Sequence, residues 1–189
     1  MHTEISQFLR YLDVERNVSD LTIKSYREDL IDLADFLVEA AGGKRVAPRE
    51  VTPRELRGYV SALHDAGYAK TSISRKLASL RSFYKFAMRQ QMAESNPAQP
   101  LRNPRGGRKL PHFLSTDEVS KLLETPIAID AQGLRDRAIL ETIYSAGLRV
   151  SELVGMNDGD LDFEEGSIHI RGKGRKERIG ALGRFAIQA

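Results

Sequence analysis

The chain has no cysteine among its 189 residues. Disulfides, thiolate zinc sites and a cysteine nucleophile are therefore excluded, and the composition fits a reducing cytoplasm, the expected location. No apolar run approaches the ~20 residues that a membrane span requires, so no membrane partner is expected. The start, Met1-His2-Thr3-Glu4, has no cationic stretch leading into an apolar core, and no signal peptide is expected. His2, His64, His112 and His169 have no partner at metal-ligand spacing. GxSxG, GxGxxG and the GxxxxGK(S/T) phosphate loop do not occur either. Internal repeats and low-complexity tracts are missing as well.

What is present is an ordinary globular composition, 41% hydrophobic and 29% charged. The charge is unevenly spread. Residues 66–110 hold ten Lys and Arg against one acid, Glu94, a local charge of +9 in a chain of net charge +3. The rest of the chain is therefore at −6. Such a basic segment in an otherwise acidic protein suits a polyanion surface, and a solvated helix face also fits.

The first hundred residues carry helical periodicity. Ile5, Phe8, Leu9 and Leu12 mark one helix, and Ser19 can cap a second with Ile23, Tyr26, Leu30, Leu33 and Leu37 on its apolar line. Thr52-Pro53-Arg54-Glu55 is a capping box with proline at the first helical position. It opens a third helix that Gly67 closes. The fourth, from Lys70-Thr71-Ser72, has an apolar stripe of Ile73, Leu77, Leu80, Tyr84 and Ala87. Arg75, Arg81, Lys85 and Arg89 fall on the opposite side, which suits docking in a DNA groove. A surface helix whose long cations cover the core edge has the same pattern.

Asn96-Pro97 and Pro100 break the helical pattern, and the extended basic run Asn103 to Pro111 reads as a linker. Ser115-Thr116-Asp117-Glu118 is a second capping box, opening a helix with Val119, Leu122 and Leu123 on its apolar face. Another helix is expected from about Leu134 to Ser145, burying Ile139, Leu140, Ile143 and Tyr144. From Leu161 the period changes to alternation, which predicts a small antiparallel sheet of up to three strands.

Between the last helix and the sheet lies Tyr144-Ser145-Ala146-Gly147-Leu148-Arg149-Val150-Ser151-Glu152-Leu153, and 24 residues after its arginine comes Gly172-Lys173-Gly174. Phosphoryl transfer needs positioning and stabilisation of charge on non-bridging oxygens, and guanidinium holds these bidentately. Arg149 follows a glycine-broken helix end, where it can aim at a phosphate, and Glu152 can fix its rotamer. Spacing alone fits an ordinary Arg–Glu surface pair better. Lys173, between two glycines at a hairpin tip, could protonate a leaving alkoxide, although glycine and lysine are common in hairpin turns.

Together these motifs resemble the tyrosine recombinase (phage integrase) family, of the bacterial XerC/XerD chromosome-dimer resolution type. The resemblance spans essentially the whole chain. It rests on Thr22, Lys24, Tyr26 and Arg27, on Thr71 to Tyr84, on Asn96-Pro97, on Lys109-Leu110-Pro111 with Leu114 to Val119, and on Ala146 to Leu153 followed by Gly172 to Arg178. It implies a mainly α fold. A helical, SAM-like core-binding domain of four to five helices is expected over 1–104, a linker over 105–111, and the first part of an α+β catalytic domain over 112–189. It further implies that Arg149 binds the scissile phosphate and Lys173 protonates the leaving 5′ oxygen, with Glu152 supporting Arg149. Thr22, Lys24, Tyr26, Arg27, Lys70, Thr71, Ser72, Arg75, Lys76, Arg81, Lys85, Arg108 and Lys109 are the implied DNA contacts. The implied partner is double-stranded DNA, with four like or unlike protomers acting on two duplexes and neither metal nor nucleotide cofactor.

Three departures qualify the resemblance. The family places a His-x-x-Arg pair and a nucleophilic tyrosine beyond the lysine hairpin, and no His-x-x-Arg occurs here. Tyr11, Tyr26, Tyr59, Tyr68, Tyr84 and Tyr144 all precede Lys173. Ile179-Gly180-Ala181-Leu182 also replaces the family's valine-proline-leucine, which predicts a looser third strand. The expectation is a C-terminally truncated recombinase that binds duplex DNA without cleaving it. A natural binding module that modulates an intact partner is the alternative, and an unrelated helical DNA-binding protein is a third reading. Leu153, Val154, Leu182 and Ile187 are expected to lack cover, with marginal stability, self-association or partial order after about Ile179.

Overall fold

In the computed structural model, which describes residues 1–104, 111–127, 129–172 and 176–189, the chain divides into two compact units, Met1–Lys109 and Leu110–Ala189. The first unit is helical: α1 (His2–Val14), α2 (Asp20–Ala40), α3 (Pro53–Asp65) and α4 (Lys70–Arg89), with a short 3-10 turn at Pro48–Glu50. The second holds α5 (Thr116–Glu124), α6 (Ala131–Ala146), α7 (Val150–Val154), a 3-10 turn at Asp158–Asp160, strands β1 (Leu161–Asp162), β2 (Ser167–Arg171) and β3 (Glu177–Ala181), and α8 (Arg184–Gln188). The expected linker 105–111 lies, apart from Pro111, outside the described residues.

Local signals set most helix boundaries. Thr52 Oγ1 accepts from the Glu55 N–H while Glu55 accepts from the Thr52 N–H, and Ser115 and Glu118 repeat the exchange. Each box satisfies two orphan donors of a first helical turn. Ser19 stands at the N-cap of α2, but its hydroxyl shares a hydrogen bond with Thr22 Oγ1 instead of capping the backbone. Asp130 caps α6 through the Gly133 N–H, which starts that helix three residues before Leu134.

Packing follows the periodicity in the first unit. Phe8, Leu30, Leu33, Leu37, Leu56, Ile73, Leu77, Leu80, Phe83 and Tyr84 are almost wholly buried in one cluster. Fully burying such side chains contributes roughly 1.5–3 kcal/mol apiece, which is what orders α1 to α4. Phe8 joins Phe83 edge-on at 5.7 Å and lies tilted on Phe86 at 5.4 Å.

The second unit is less enclosed. Its core is Ala146, Leu148, Ile168, Ile170 and Leu182. Against expectation, α5 buries no residue and Leu122 is 48% exposed. Ile139, Leu140 and Ile143 are half-buried, and Tyr144 is 61% exposed. Within the unit α5 packs mainly on α6, whereas α6 also meets α7, α8 and β3.

The sheet order is β1-β2-β3, antiparallel throughout. The third strand is not loose, since all five residues of β3 pair with β2, from Ser167↔Ala181 to Arg171↔Glu177. Its glycine is the cause. A Cβ on Gly180 would stand 2.7 Å from Ile170 Cδ1 and 3.1 Å from Ala146 Cβ, so the bare backbone lets β3 lie flat on the C-terminal end of α6. Leu182 is buried, whereas Val154 is 78% and Ile187 39% exposed.

Candidate functional site

The turn that carries Arg149 is built by a left-handed glycine. Gly147 adopts φ 58° and ψ 46°, and its N–H and that of Leu148 both return to the Ile143 carbonyl. Nothing surrounds the position where a Cβ would be, so the backbone angle alone requires glycine there. Leu148 is buried beneath the turn, and Arg149 becomes the N-cap of α7.

Glu152 is the hub of the site. Its Oε1 accepts from Arg149 Nη1 at 2.7 Å, and its Oε2 accepts from the Arg149 N–H at 3.0 Å and from Arg178 Nη2 at 3.2 Å. The Glu152 side chain is only 3% exposed, while that of Arg149 is 74% exposed. A buried carboxylate thus holds an exposed guanidinium by one edge and leaves the rest of it facing outward. The backbone N–H of Arg149, then its side chain, hold the Glu152 carboxyl below the usual carboxylate range.

The lysine hairpin begins beside this hub. A Cβ on Gly172 would lie 3.3 Å from Glu152 Oε1, and the Gly172 N–H donates to the Lys176 carbonyl at 2.7 Å. The base of the β2–β3 turn is therefore pressed against the carboxylate that holds Arg149. Lys173 lies outside the described residues.

A second acidic group works similarly at the sheet's other face. Asp160 accepts from the Asn157 N–H and from Arg171, and these bonds, the backbone one first, lower its carboxyl. For both acids the sign is the same: the folded form binds its proton less tightly than the unfolded chain does. Their stabilisation is present above the unfolded carboxylate range of ~4 and is lost as pH falls through the lowered folded values. Urea unfolding of wild type and Glu152→Gln should therefore differ most near pH 7, the difference shrinking as pH is lowered below about 4. A constant difference across that span would remove Glu152 as the source.

The described cations of the basic segment are divided: Lys76 is buried and Arg81 half-buried, while Lys70, Lys85, Arg89 and Arg102 are exposed. Lys76, one of the expected DNA contacts, is buried and ion-paired at 2.6 Å to Asp32 and 3.4 Å to Asp29. Arg75 is half-exposed and donates to Asp29 Oδ2 at 2.5 Å. Arg81 is a correction to the outward-facing reading. Its Nε donates to the Ala98 carbonyl, Nη2 to the Leu101 carbonyl and Nη1 to Asn103 Oδ1, at 3.2, 2.6 and 3.0 Å. Arg89 lies over the Tyr11 ring at 4.5 Å. An arginine opposite a core stripe still reaches acceptors when a following segment folds back beside it, as residues 96–103 do here.

Lys24, Arg27, Lys70, Thr71 and Lys85 are exposed, and Ser72 is half-buried. Thr22 is half-buried with its hydroxyl bonded to Ser19, and Tyr26 stacks on Phe8 at 6.0 Å. Arg108 and Lys109 lie outside the described residues. Sequence reasoning assigned no role to Asp29 or Arg178. Arg178 had a readable signal, because alternation from Gly180 puts this cation on the inner strand face with Ile168 and Ile170.

Among the described residues no cluster of three or more His, Asp or Glu could hold a metal ion. No described helix is long and apolar enough to cross a membrane. A mostly apolar groove of about 350 Å³ between α5, α6 and α8 includes none of Arg149, Glu152 or Arg178.

Comparison with known proteins supplies the family. Residues 5–91 match the phage integrase N-terminal SAM-like domain, and residues 112–189 match the phage integrase family model. The tyrosine recombinase XerC of Syntrophus aciditrophicus (strain SB) is 43% identical over 98% of this chain and 61% of its own length. The tyrosine recombinase XerD of Chlorobaculum tepidum is 37% identical over 97% of this chain and 60% of its own length. The chain thus spans about three-fifths of the curated relatives it matches. A lambda integrase dimer bound to a COC′ core site shares the fold at 16% identity and TM-score 0.74, covering 99% of this chain and 64% of that one. The chain belongs to the phage integrase (tyrosine recombinase) family.

Proposed function

We propose that this chain supplies the duplex-binding unit and the phosphate-holding arginine of a site-specific DNA recombinase. The observation that carries this reading is the Glu152 hub, which presents Arg149 beside the first residue of the lysine hairpin. In the proposed chemistry Arg149 binds the non-bridging oxygens of the scissile phosphate, and Glu152 holds its rotamer. Lys173 donates a proton to the leaving 5′ oxygen. A complete recombinase would form a 3′-phosphotyrosyl bond, conserving the energy of the broken ester for religation. It would act as four protomers, alike or of two kinds, on two duplexes. Within these residues the acceptor of that bond is missing, since the last tyrosine is Tyr144, 29 positions before Lys173.

Lys24, Arg27, Lys70, Thr71, Ser72, Arg75 and Lys85 remain the proposed duplex contacts of the first unit, with Arg108 and Lys109 on the linker. About four phosphates neutralised would lower affinity for duplex DNA roughly 100-fold between about 50 and 200 mM salt. The chain is expected to shift a duplex in a salt-dependent manner and to give no covalent adduct with a nicked suicide substrate. Affinity indifferent to salt would overturn duplex binding, and a protein–DNA adduct stable to denaturant would overturn the predicted lack of cleavage.

A further inference from the structure

The geometry points to Arg178 as a positioning residue that couples the lysine hairpin to the arginine turn. Its Nη1 donates to the Ala146 carbonyl at 3.2 Å, its Nη2 to the Gly147 carbonyl at 2.9 Å, and the same Nη2 to Glu152 Oε2 at 3.2 Å. Three acceptors from two different helices therefore converge on one side chain of β3. Two are carbonyls at the C-terminal end of α6, where a helix has no N–H of its own to offer and a cation is favoured.

The strand register explains why this side chain reaches them. Arg178 pairs with Ile170, and Gly180 pairs with Ile168, so Arg178 and Gly180 share the face that lies on α6. Gly180 allows the close approach, since its Cβ position is already filled by Ile170 and Ala146. The guanidinium is thereby delivered to the rim of the turn, with the side chain 43% exposed. At the opposite end of the hairpin base, Gly172 lies against the other oxygen of the same carboxylate. Glu152 is thus gripped by Arg149 and Arg178 and backed by Gly172, and the hairpin cannot swing away from Arg149 without breaking the Arg178 bonds.

Guanidinium is needed for this task. It offers a planar fork of donors and stays charged, whereas an ammonium is a point charge that satisfies fewer fixed acceptors at once. Arg178 touches no reacting atom. It sets the separation between the phosphate-holding guanidinium and the hairpin that carries the proposed proton donor. This inference rests on the phosphate-binding reading of Arg149.

The test uses the 189-residue chain, isotopically labelled, as wild type, Arg178→Met and Arg178→Lys. Three signals are followed by NMR: the Arg149 Nε–H line, hydrogen exchange at the Gly172 amide, and shifts at Arg149 on adding inorganic phosphate. In Arg178→Met, Gly172 exchange should accelerate by about tenfold or more, the scale of one charge-assisted hydrogen bond. The Arg149 line should shift or broaden, while core amides of Ile168 and Ile170 keep their protection. Arg178→Lys should fall between. An Arg149 line and Gly172 exchange unchanged in Arg178→Met would overturn the positioning role, as would equal acceleration at Ile168 and Ile170, which marks a purely structural role. Phosphate that fails to perturb Arg149 in wild type would overturn the parent reading, leaving the exchange result to decide the role of Arg178.

Discussion

Asp29→Ala lowers the unfolding free energy of the N-terminal unit by about 3 kcal/mol, toward the low end of the range for breaking a buried ion pair. Asp29 is wholly buried on α2 and meets three residues of α4. Arg75 and Ser79 both donate to its Oδ2, and Lys76 Nζ lies 3.4 Å from Oδ1 as an ion pair without hydrogen-bond geometry. Removing the carboxylate leaves Lys76, 7% exposed, with only Asp32 as its anion. That remaining partner is why the expected loss is not larger. Asp32 also accepts from the Tyr59 hydroxyl, whose burial and then the Asp32 charge push its pKa well above the usual phenol value. Asp29→Asn should lose less, because it keeps an acceptor for Ser79. Five of the six tyrosines lie in the first unit and the chain has no tryptophan, so tyrosine fluorescence in urea reports mainly on that unit. A loss below about 1 kcal/mol for Asp29→Ala would show that the network is not a structural tie between α2 and α4.

Arg81→Ala is expected to destabilise the same unit by about 2–4 kcal/mol while leaving the salt dependence of DNA binding unchanged. It removes three donors at once, strips the Leu101 carbonyl of its guanidinium partner and leaves the Ala98 carbonyl with the Leu101 N–H at 3.4 Å, both residues being buried. Asn96 returns the tie by donating to the Arg81 carbonyl, so residues 96–103 are laced to α4 from both sides. Lys85→Ala and Arg27→Ala should do the reverse. Both side chains are exposed, so stability should change by less than about 0.5 kcal/mol. Each should lower the slope of log affinity against log salt by about 0.9 if its cation neutralises one phosphate. A reduced slope in Arg81→Ala with unaltered stability would return Arg81 to the DNA surface.

These contrasts show where reading along the chain succeeds. The capping boxes at Thr52 and Ser115, the glycine break at Gly147 and the apolar stripe of α4 all act within four residues, and the structure reproduces each. Interactions of that range depend on the backbone period, which sequence displays directly. The partners of the cations do not. Arg75 finds Asp29 across 46 residues, Lys76 finds Asp32 across 44, and Arg81 finds its acceptors 17 to 22 residues away. A charged side chain on the far side of a stripe looks solvent-facing until something folds over it.

The sequence by itself determined the helical first unit, the antiparallel sheet, the arginine turn and, through motif order and spacing, the family. Periodicity and local hydrogen bonding are sufficient for the elements, because each such signal closes within a turn of helix or a pair of strands. Only the tertiary structure decided which cations face outward, that Glu152 is the buried hub rather than half of a surface pair, and that Arg178 ties β3 to the end of α6. Those outcomes depend on burial and on strand register across 26 to 50 residues of chain. Desolvation assigns a charge its partner only after the backbone has brought the two together.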